Sequence, residues 1–274
     1  MSEETWFDQA LFLRERALRG AIWGRPVRAL QSTSSTNDLA LKAISGEAKT
    51  GIVWIAREQT KGRGRRGNSW QTRPGECLMV TTLLRYQGAQ KHIEGMSLIV
   101  GLAVQELVQE KLQALGDKTR VRVKWPNDVM VNDKKIAGVL IESKKDAQGN
   151  QALAIGMGLN LLTVDFPSSL PHATSLALWG VKKSELGFEA LLASFLQALE
   201  KRVTRLLTRG IADFHEELAA NDYLLNKQIC IAGSKGRGAG VDKRGHLLLR
   251  TEKNEILSFA EGHVDLVSSL NSNQ

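Results

Sequence analysis

Hydrophobic and polar positions along the chain follow two rhythms, and the change comes near Asn221. Before it, stripes with a helical period alternate with short apolar runs. Met96, Ile99, Val100, Ala103, Val104, Leu107, Val108, Leu112 and Leu115 recur at i, i+3, i+4 spacing and predict an amphipathic helix. Leu191, Leu192, Phe195, Leu199, Val203 and Leu206 predict another over about 187–209, with a shorter one over 211–219. Trp6, Ala10, Leu13, Ala17 and Leu18 predict a first helix over 5–19, ended by Gly20. In STNDLALKAISG, Ser35 and Asp38 have the spacing of a capping box, with Gly46 as the stop.

Between these helices, GIVWIA (51–56), ECLMVTTLL (76–84), VRVKW, VMV, IAGVLIES and ALAIGMGLNLL read as buried strands. NDKK between VMV and IAGVLIES is a hairpin turn. After Asn221, KQICIAG, GAGV, HLLLRT and EILSFA are short strands separated by glycine and charged turns, the texture of a small β-barrel. The expected fold is therefore α+β: a mixed sheet with helices over residues 1–220, followed by a small β domain over 221–274.

Composition narrows the setting. Of the chain's 274 residues, 42% are hydrophobic and 24% charged, enough for a sizeable core. The net charge of +8 suits a polyanionic partner or a phosphorylated ligand, and equally plain solubility. Cys77 and Cys230 follow no metal-ligand spacing, and no H-E-x-x-H occurs, so no protein-held metal is expected. The N-terminus begins acidic and lacks the basic start and apolar core of a signal peptide. No stretch approaches the ~20 apolar residues of a membrane span. A cytoplasmic protein without a membrane partner is the expectation.

The stretch KGRGRRGNSWQTR (61–73) contains a letter-perfect G-x-G-x-x-G. A dinucleotide site also needs a helix opening at the third glycine and an acid about 20 residues on. Pro74 and Gly75 interrupt any helix there, and residues 80–93 contain no Asp or Glu, so that reading fails. From Arg57 to Arg73 there are six basic residues and one acid. Arginine offers bidentate donors to phosphate, and glycine admits close approach of backbone N–H groups. Ordering the six residues of GRGRRG costs on the order of 6–12 kcal/mol, which a strongly anionic ligand offsets. The loop is thus expected to lack structure when empty and to fold over its ligand. Composition alone leaves a solvated basic loop or an RGG-like nucleic-acid segment as equal alternatives.

Other clusters are weaker singly. In VKWPNDVM, Pro126 biases Trp125 toward extended geometry and so fixes Lys124 at a strand end. A lysine there neutralises a carboxylate and a phosphate approaching each other, although an ordinary strand-to-turn transition accounts for the same letters. Gly138 in KKIAGVLIES and the two glycines of GMGLN mark strands that something must approach closely. Asn160 offers an amide that pairs with a purine edge or satisfies a turn. Ser35, Thr36 and Asn37 either cap a helix or face a polar ligand.

Taken together and in order, STND (35–38), EQTKGRGRRGNSW (58–70), KWPNDV (124–129), KIAGVLIE (135–142) and GMGLN (156–160) resemble the biotin protein ligases, the biotin–[acetyl-CoA-carboxylase] ligases. The tail GAGVDKRGHLLLR…EGHVDL (238–266) resembles that family's small SH3-like domain. The resemblance implies a class II synthetase-like catalytic domain and a two-step, ATP-dependent, AMP-forming reaction. Biotin's carboxylate attacks the α-phosphate of ATP, with Mg²⁺, giving biotinyl-5′-AMP and pyrophosphate. A lysine of a biotin carboxyl carrier domain then takes the biotinyl group. Carried over by motif, Ser35, Thr36, Asn37, Gln59, Arg63, Gly64, Arg65, Lys124 and Gly138 bind biotin. Arg65, Arg66, Trp70 and Asn160 hold the adenylate, and Lys124 and Arg65 act on the reacting groups.

Lys61 departs from the family, which has a small residue there. Only 34 residues and one convincing helix precede Ser35, whereas a helix-turn-helix variant such as the homeodomain uses three helices. The resemblance therefore points to the short form without the DNA-binding domain that some members carry, and no sequence-specific DNA binding is expected. A lipoate ligase, sharing fold and acyl-adenylate chemistry, is the enzymatic rival. A nucleic-acid module would interleave aromatics with the basic residues, yet only 5% of the chain is aromatic and none lies within 61–69. Monomer and homodimer are both compatible with the sequence.

Overall fold

The computed structural model describes residues 6–88, 93–146 and 148–267. Two sheets organise it. Strands β1 (Val27–Thr33), β2 (Val53–Gln59), β3 (Cys77–Tyr86), β4 (Val121–Lys124), β5 (Asp128–Val131), β6 (Lys134–Lys145) and β7 (Gln151–Asn160) form a mixed sheet in the order β1-β2-β3-β7-β6-β5-β4. Only β1 and β2 run parallel; the other ladders are antiparallel.

Each face of this sheet has its own cover. Helix α3 (Met96–Ala114) packs on α5 (Phe188–Arg209), and α1 (Gln9–Leu18) on α5, over the main core. On the opposite face lies α2 (Thr36–Ala43), over a small cluster of Ala40, Ile44, Trp54, Leu83, Ala152 and Ala154. The short α4 (Lys183–Leu186) precedes α5, and a 3-10 turn leads into α6 (His215–Ala220).

Strand alternation explains the difference between the faces. In β7, Leu153, Ile155, Met157 and Leu159 enter the main core. Their alternates Ala152, Ala154, Gly156 and Gly158 turn to the α2 face, where small residues leave room. Antiparallel pairing sets Gly138 of β6 directly opposite Gly158, Leu140 opposite Gly156 and Glu142 opposite Ala154. Beyond the end of α2, the sheet thus carries a bare floor instead of a packed surface.

The second sheet contains β8 (Gln228–Ile231), β9 (Ser234–Val241), β10 (Leu247–Arg250), β11 (Ile256–Phe259) and β12 (Val264–Leu266), in the antiparallel order β11-β10-β9-β8-β12. It has the SH3-like antiparallel character expected, but it is an open sheet: no ladder joins β11 to β12 among the described residues. The loop between them reaches the cavity beside the first sheet. The seam is hydrogen-bonded. Val123 N–H donates to Asn221 O (2.8 Å), Tyr223 N–H to Val123 O (2.9 Å), and the buried Trp125 indole to Gly245 O (3.0 Å).

Several local readings are corrected. Strand β1 escaped the pattern because only Val27 is buried in it. Helix α1 starts later, at Gln9 under an Asp8 cap, and residue 5 lies outside the described residues. The capping box does not form. Ser35 occupies the N-cap position without a side-chain cap bond, and Gln59 Oε1 accepts from Thr36 N–H instead (2.7 Å). Asp38 is drawn away by Ser34 and Arg63, so a tertiary partner replaces the local cap. No helix among the described residues is long and apolar enough to cross a membrane.

Candidate functional site

A cavity of about 270 Å³ lies on the α2 face, walled by β2, β3, β6 and β7, the glycine-arginine loop and the β4–β5 turn. Ser35, Thr36, Asn37, Gln59, Arg63, Gly64, Arg65, Arg66, Trp70, Lys124 and Gly138 all line it. Asn160 does not. Its amide donates to Thr174 O (2.9 Å) and accepts from Cys77 Sγ (3.4 Å), so it is satisfied inside the protein and not presented to the cavity.

The floor is backbone. A Cβ at Gly158 would lie 2.7 Å from Trp70 Cε2, and one at Gly138 3.2 Å from Trp70 Cζ3. The facing glycines therefore let the indole lie on the sheet itself. Trp70 Nε1 is buried and finds no acceptor among the described residues. A buried donor left open in a cavity wall is what a ligand site offers.

One end of the cavity is neutral and densely bonded. Gln59 Oε1 takes Thr36 N–H, and the Thr36 hydroxyl lies 3.0 Å away. Thr81 Oγ1 sits 2.8 Å from Thr36 Oγ1 and 2.6 Å from Asn37 Oδ1, with one proton to serve both contacts. Asn37 Nδ2 donates to Leu140 O (3.2 Å) and Glu142 Oε2 (2.8 Å). Gly156 is required here, since its Cβ would stand 2.2 Å from Asn37 Oδ1. Thr81 and Glu142 escaped the sequence analysis. The signal available was their position on alternate residues of strands whose other face is core.

The opposite end is cationic. Lys124 closes β4 directly across from Asp128 of β5. Lys135 Nζ lies 2.6 Å from Asp128 Oδ1, as an ion pair and not an aligned hydrogen bond. It also stands 5.6 Å from the Trp70 ring centre. Burial pushes the Lys124 pKa down, with Lys135 adding to the effect and Asp128 and Asp265 opposing it. Arg65 is likewise lowered, by burial and then by Arg66. Lys124, Lys135, Arg65 and Arg66 thus face a cavity whose lining contains one acid among the described residues, Asp128. Lys135 is a site residue that sequence reasoning passed over in favour of Lys124.

The loop itself has more internal order than expected. Gly64 N–H donates to Asn68 O (2.7 Å), Asn68 N–H to Arg65 O (3.2 Å) and Trp70 N–H to Gly62 O (2.9 Å), and Arg63 bridges Ser69. Its tip, Arg65–Gly67, is a 3-10 turn with Arg66 at φ 56° and Gly67 at φ 78°. Across from it, Gly262, His263 and Val264 of the second sheet complete the wall. The sequence marks these three only as part of the tail EGHVDL that resembles the family's small domain, without a site role.

The stretch 29–160 matches the model of the biotin/lipoate A/B protein ligase family. The biotin–[acetyl-CoA-carboxylase] ligase of Paracoccus denitrificans is 35% identical over 228 residues, covering 81% of this chain and 92% of that protein. The chain belongs to the biotin protein ligases. Escherichia coli BirA, a bifunctional ligase/repressor, is 30% identical over 244 residues, covering 88% of this chain and 74% of BirA. The fold is that of the biotin protein ligase from Aquifex aeolicus solved with biotin and ATP, at a TM-score of 0.72 and 24% identity over 89% of this chain and 99% of that one.

Proposed function

We propose that this biotin protein ligase activates biotin with ATP to biotinyl-5′-AMP and transfers the biotinyl group to a lysine of the biotin carboxyl carrier domain of acetyl-CoA carboxylase. The observation that carries the reading is one cavity with a neutral, hydrogen-bonding end and a cationic end, roofed by an arginine loop. A bicyclic urea fits the first end. Asn37 Oδ1, bonded from behind by Thr81, keeps a second lone pair for an N–H, and Ser35 and Thr36 line the same end. A carboxylate meeting an α-phosphate fits the second, where Lys124 and Lys135 offset repulsion between the two anions.

In this reading Lys124 and Arg65 stabilise the charge that builds on the phosphoryl oxygens as the acyl–oxygen–phosphorus bond forms and pyrophosphate leaves. Trp70, lying on the glycine floor, supplies an aromatic wall for the adenylate. The loop then shields the mixed anhydride from water until the acceptor amine arrives. Mg²⁺ brought with ATP would offset charge on the phosphates as pyrophosphate leaves. Among the described residues no three His, Cys, Asp or Glu side chains stand together to hold an ion, and phosphate oxygens with waters suit Mg²⁺.

Lipoate activation is the second reading, because the matched family model spans both activities. A dithiolane ring has no N–H or carbonyl, so it offers nothing to the lone pair that Asn37 Oδ1 keeps toward the cavity, a mismatch for a site built to bond. Pyrophosphate release with ATP and Mg²⁺, comparing biotin, lipoate and octanoate, decides. Release with biotin alone is expected. Release with lipoate or octanoate alone would transfer the assignment, and silence with all three from folded protein would end it.

A further inference from the structure

Arg63 and Arg65 belong to the same loop but make opposite use of their charge. Arg65 reaches the cavity with no salt bridge or hydrogen bond to a carboxylate among the described residues; burial and then Arg66 lower its pKa, with Asp128 and Glu261 opposing. Arg63 is fully engaged. One guanidinium nitrogen bonds Asp38 at the start of α2, and the other bonds both oxygens of Glu142 in β6, at 3.1 and 2.8 Å. The bond to Asp38 and the two to Glu142 together hold the guanidinium above its ordinary pKa. A guanidinium satisfied by two carboxylates has no call on a phosphate.

Glu142 makes a second contact on the other side. Its Oε2, 2.8 Å from Arg63, is also 2.8 Å from Asn37 Nδ2. Asn37 is in turn joined through Thr81 to Thr36 and so to Gln59. One carboxylate therefore touches both the root of the loop and the polar chain that forms the neutral end. Such a bridge links two elements through one discrete hydrogen-bonded arrangement.

We propose that Glu142, assisted by Asp38, is a positioning residue that latches the root of the glycine-arginine loop through Arg63 and couples loop closure to occupancy of the neutral end. Arg63 is then the anchor of the loop, and Arg65 and Arg66 at its tip are the groups that meet the phosphates. The coupling half of this inference rests on the biotin reading above; the latch half does not.

Trypsin tests it, because Arg65 and Arg66 offer cleavage sites at the tip that are cut when the loop opens. In ligand-free protein, Glu142→Gln is expected to raise the rate of the first cut in the loop about tenfold, the loss of a charged hydrogen-bond pair. Asp38→Asn, a milder change at the helix start, moves the rate in the same direction by less. Arg63→Gln combined with Glu142→Gln is cut no faster than the faster single variant. Biotin slows the cut in wild type, and in Glu142→Gln it still binds by calorimetry but protects less. A wild-type cutting rate in Glu142→Gln, or effects of the two substitutions that multiply, would overturn the latch. Equal protection by biotin in wild type and Glu142→Gln would overturn the coupling. Biotin failing to bind or protect wild type would instead sink the biotin reading, with the ligand-free comparison still deciding the latch.

Discussion

At one end of the cavity Thr36, Asn37 and Gln59 form the wall, and Thr81 and Glu142 bond them from behind and fix which donors and acceptors face a ligand. At the other, Lys124, Lys135, Arg65 and Arg66 share the lining with Asp128, and two of the four have pKa values depressed from the ordinary. The first end discriminates, because a ligand lacking the right donors leaves buried groups unpaired. The second end attracts anions, because its cations repel one another until negative charge arrives. Selectivity and charge stabilisation therefore reside in different side chains, and single substitutions separate them.

The largest expected effect is at the cationic end. Lys124→Ala should lower pyrophosphate release by about 10²–10³-fold, the usual loss when one charge-stabilising group is removed. Biotin affinity by calorimetry should fall far less, because Lys135 remains beside the carboxylate and Lys124 makes none of the neutral-end contacts. A folded Lys124→Ala enzyme that forms adenylate at the wild-type rate would end that division and shift the role to Lys135.

At the neutral end, Gly156→Ala brings a methyl 2.2 Å from Asn37 Oδ1 and 3.0 Å from Leu140 O. Overpacking of this kind costs about 1–3 kcal/mol, so biotin should bind roughly 5–150-fold more weakly. With biotin saturating, ATP turnover should recover toward wild type. Loss of turnover that saturating biotin does not restore would show that the two ends are not separable.

Much of this arrangement is legible from the sequence, and what is not has physical causes. Gly138, Gly156 and Gly158 stand inside apolar strands, where only a bulge or a close approach explains them. The arginines of the loop suit an anion, although composition alone leaves a solvated basic loop or a nucleic-acid segment as equal alternatives. Glu142 and Thr81 are different. Each looks like an ordinary strand residue until strand pairing places Thr81 beneath Asn37 and Glu142 beside it, contacts that span 44 and 105 residues of sequence. Asn160 shows the converse error. A buried amide reads equally as a base-pairing group or as one already satisfied, and Thr174 O, in a segment without periodic pattern, decides for the second. Gly262 and His263 enter the wall from the loop between β11 and β12, a placement that no local pattern announces.

The loop tip carries Arg65 and Arg66 of the cationic end, and its loss should affect retention of the intermediate as well as its formation. Arg65→Gly removes a cation from the cavity while leaving Arg63 latched. Free biotinyl-5′-AMP should then escape about tenfold faster, as expected for losing one charged hydrogen-bonding contact. The signature is biotin appearing on lysines of an added bystander protein such as albumin. Unchanged acceptor selectivity in this variant would mean that the tip does not retain the adenylate.

The smallest effect is in pH dependence, and it separates binding from stability at Lys124. Burial lowers this lysine's pKa, so in free enzyme its charge is lost below the pH at which a solvated lysine titrates. The alkaline limb of kcat/KM for ATP should therefore fall below the ordinary lysine range, while the limb of kcat lies higher, because bound phosphates favour the charged form. Asp128→Asn removes the largest influence opposing burial and should move the kcat/KM limb lower still. Stability runs the other way. Between the folded and unfolded pKa values the unfolded chain binds more protons, so the penalty for the buried charge is relieved as pH rises. Denaturant unfolding of wild type against Lys124→Met, from neutral to alkaline pH, should show the wild type gaining relative stability over the same interval in which its kcat/KM declines. A relative stability that falls with pH would mean that Lys124 is held by an anion in the free protein, and the cationic end would no longer be the part of the cavity waiting for charge.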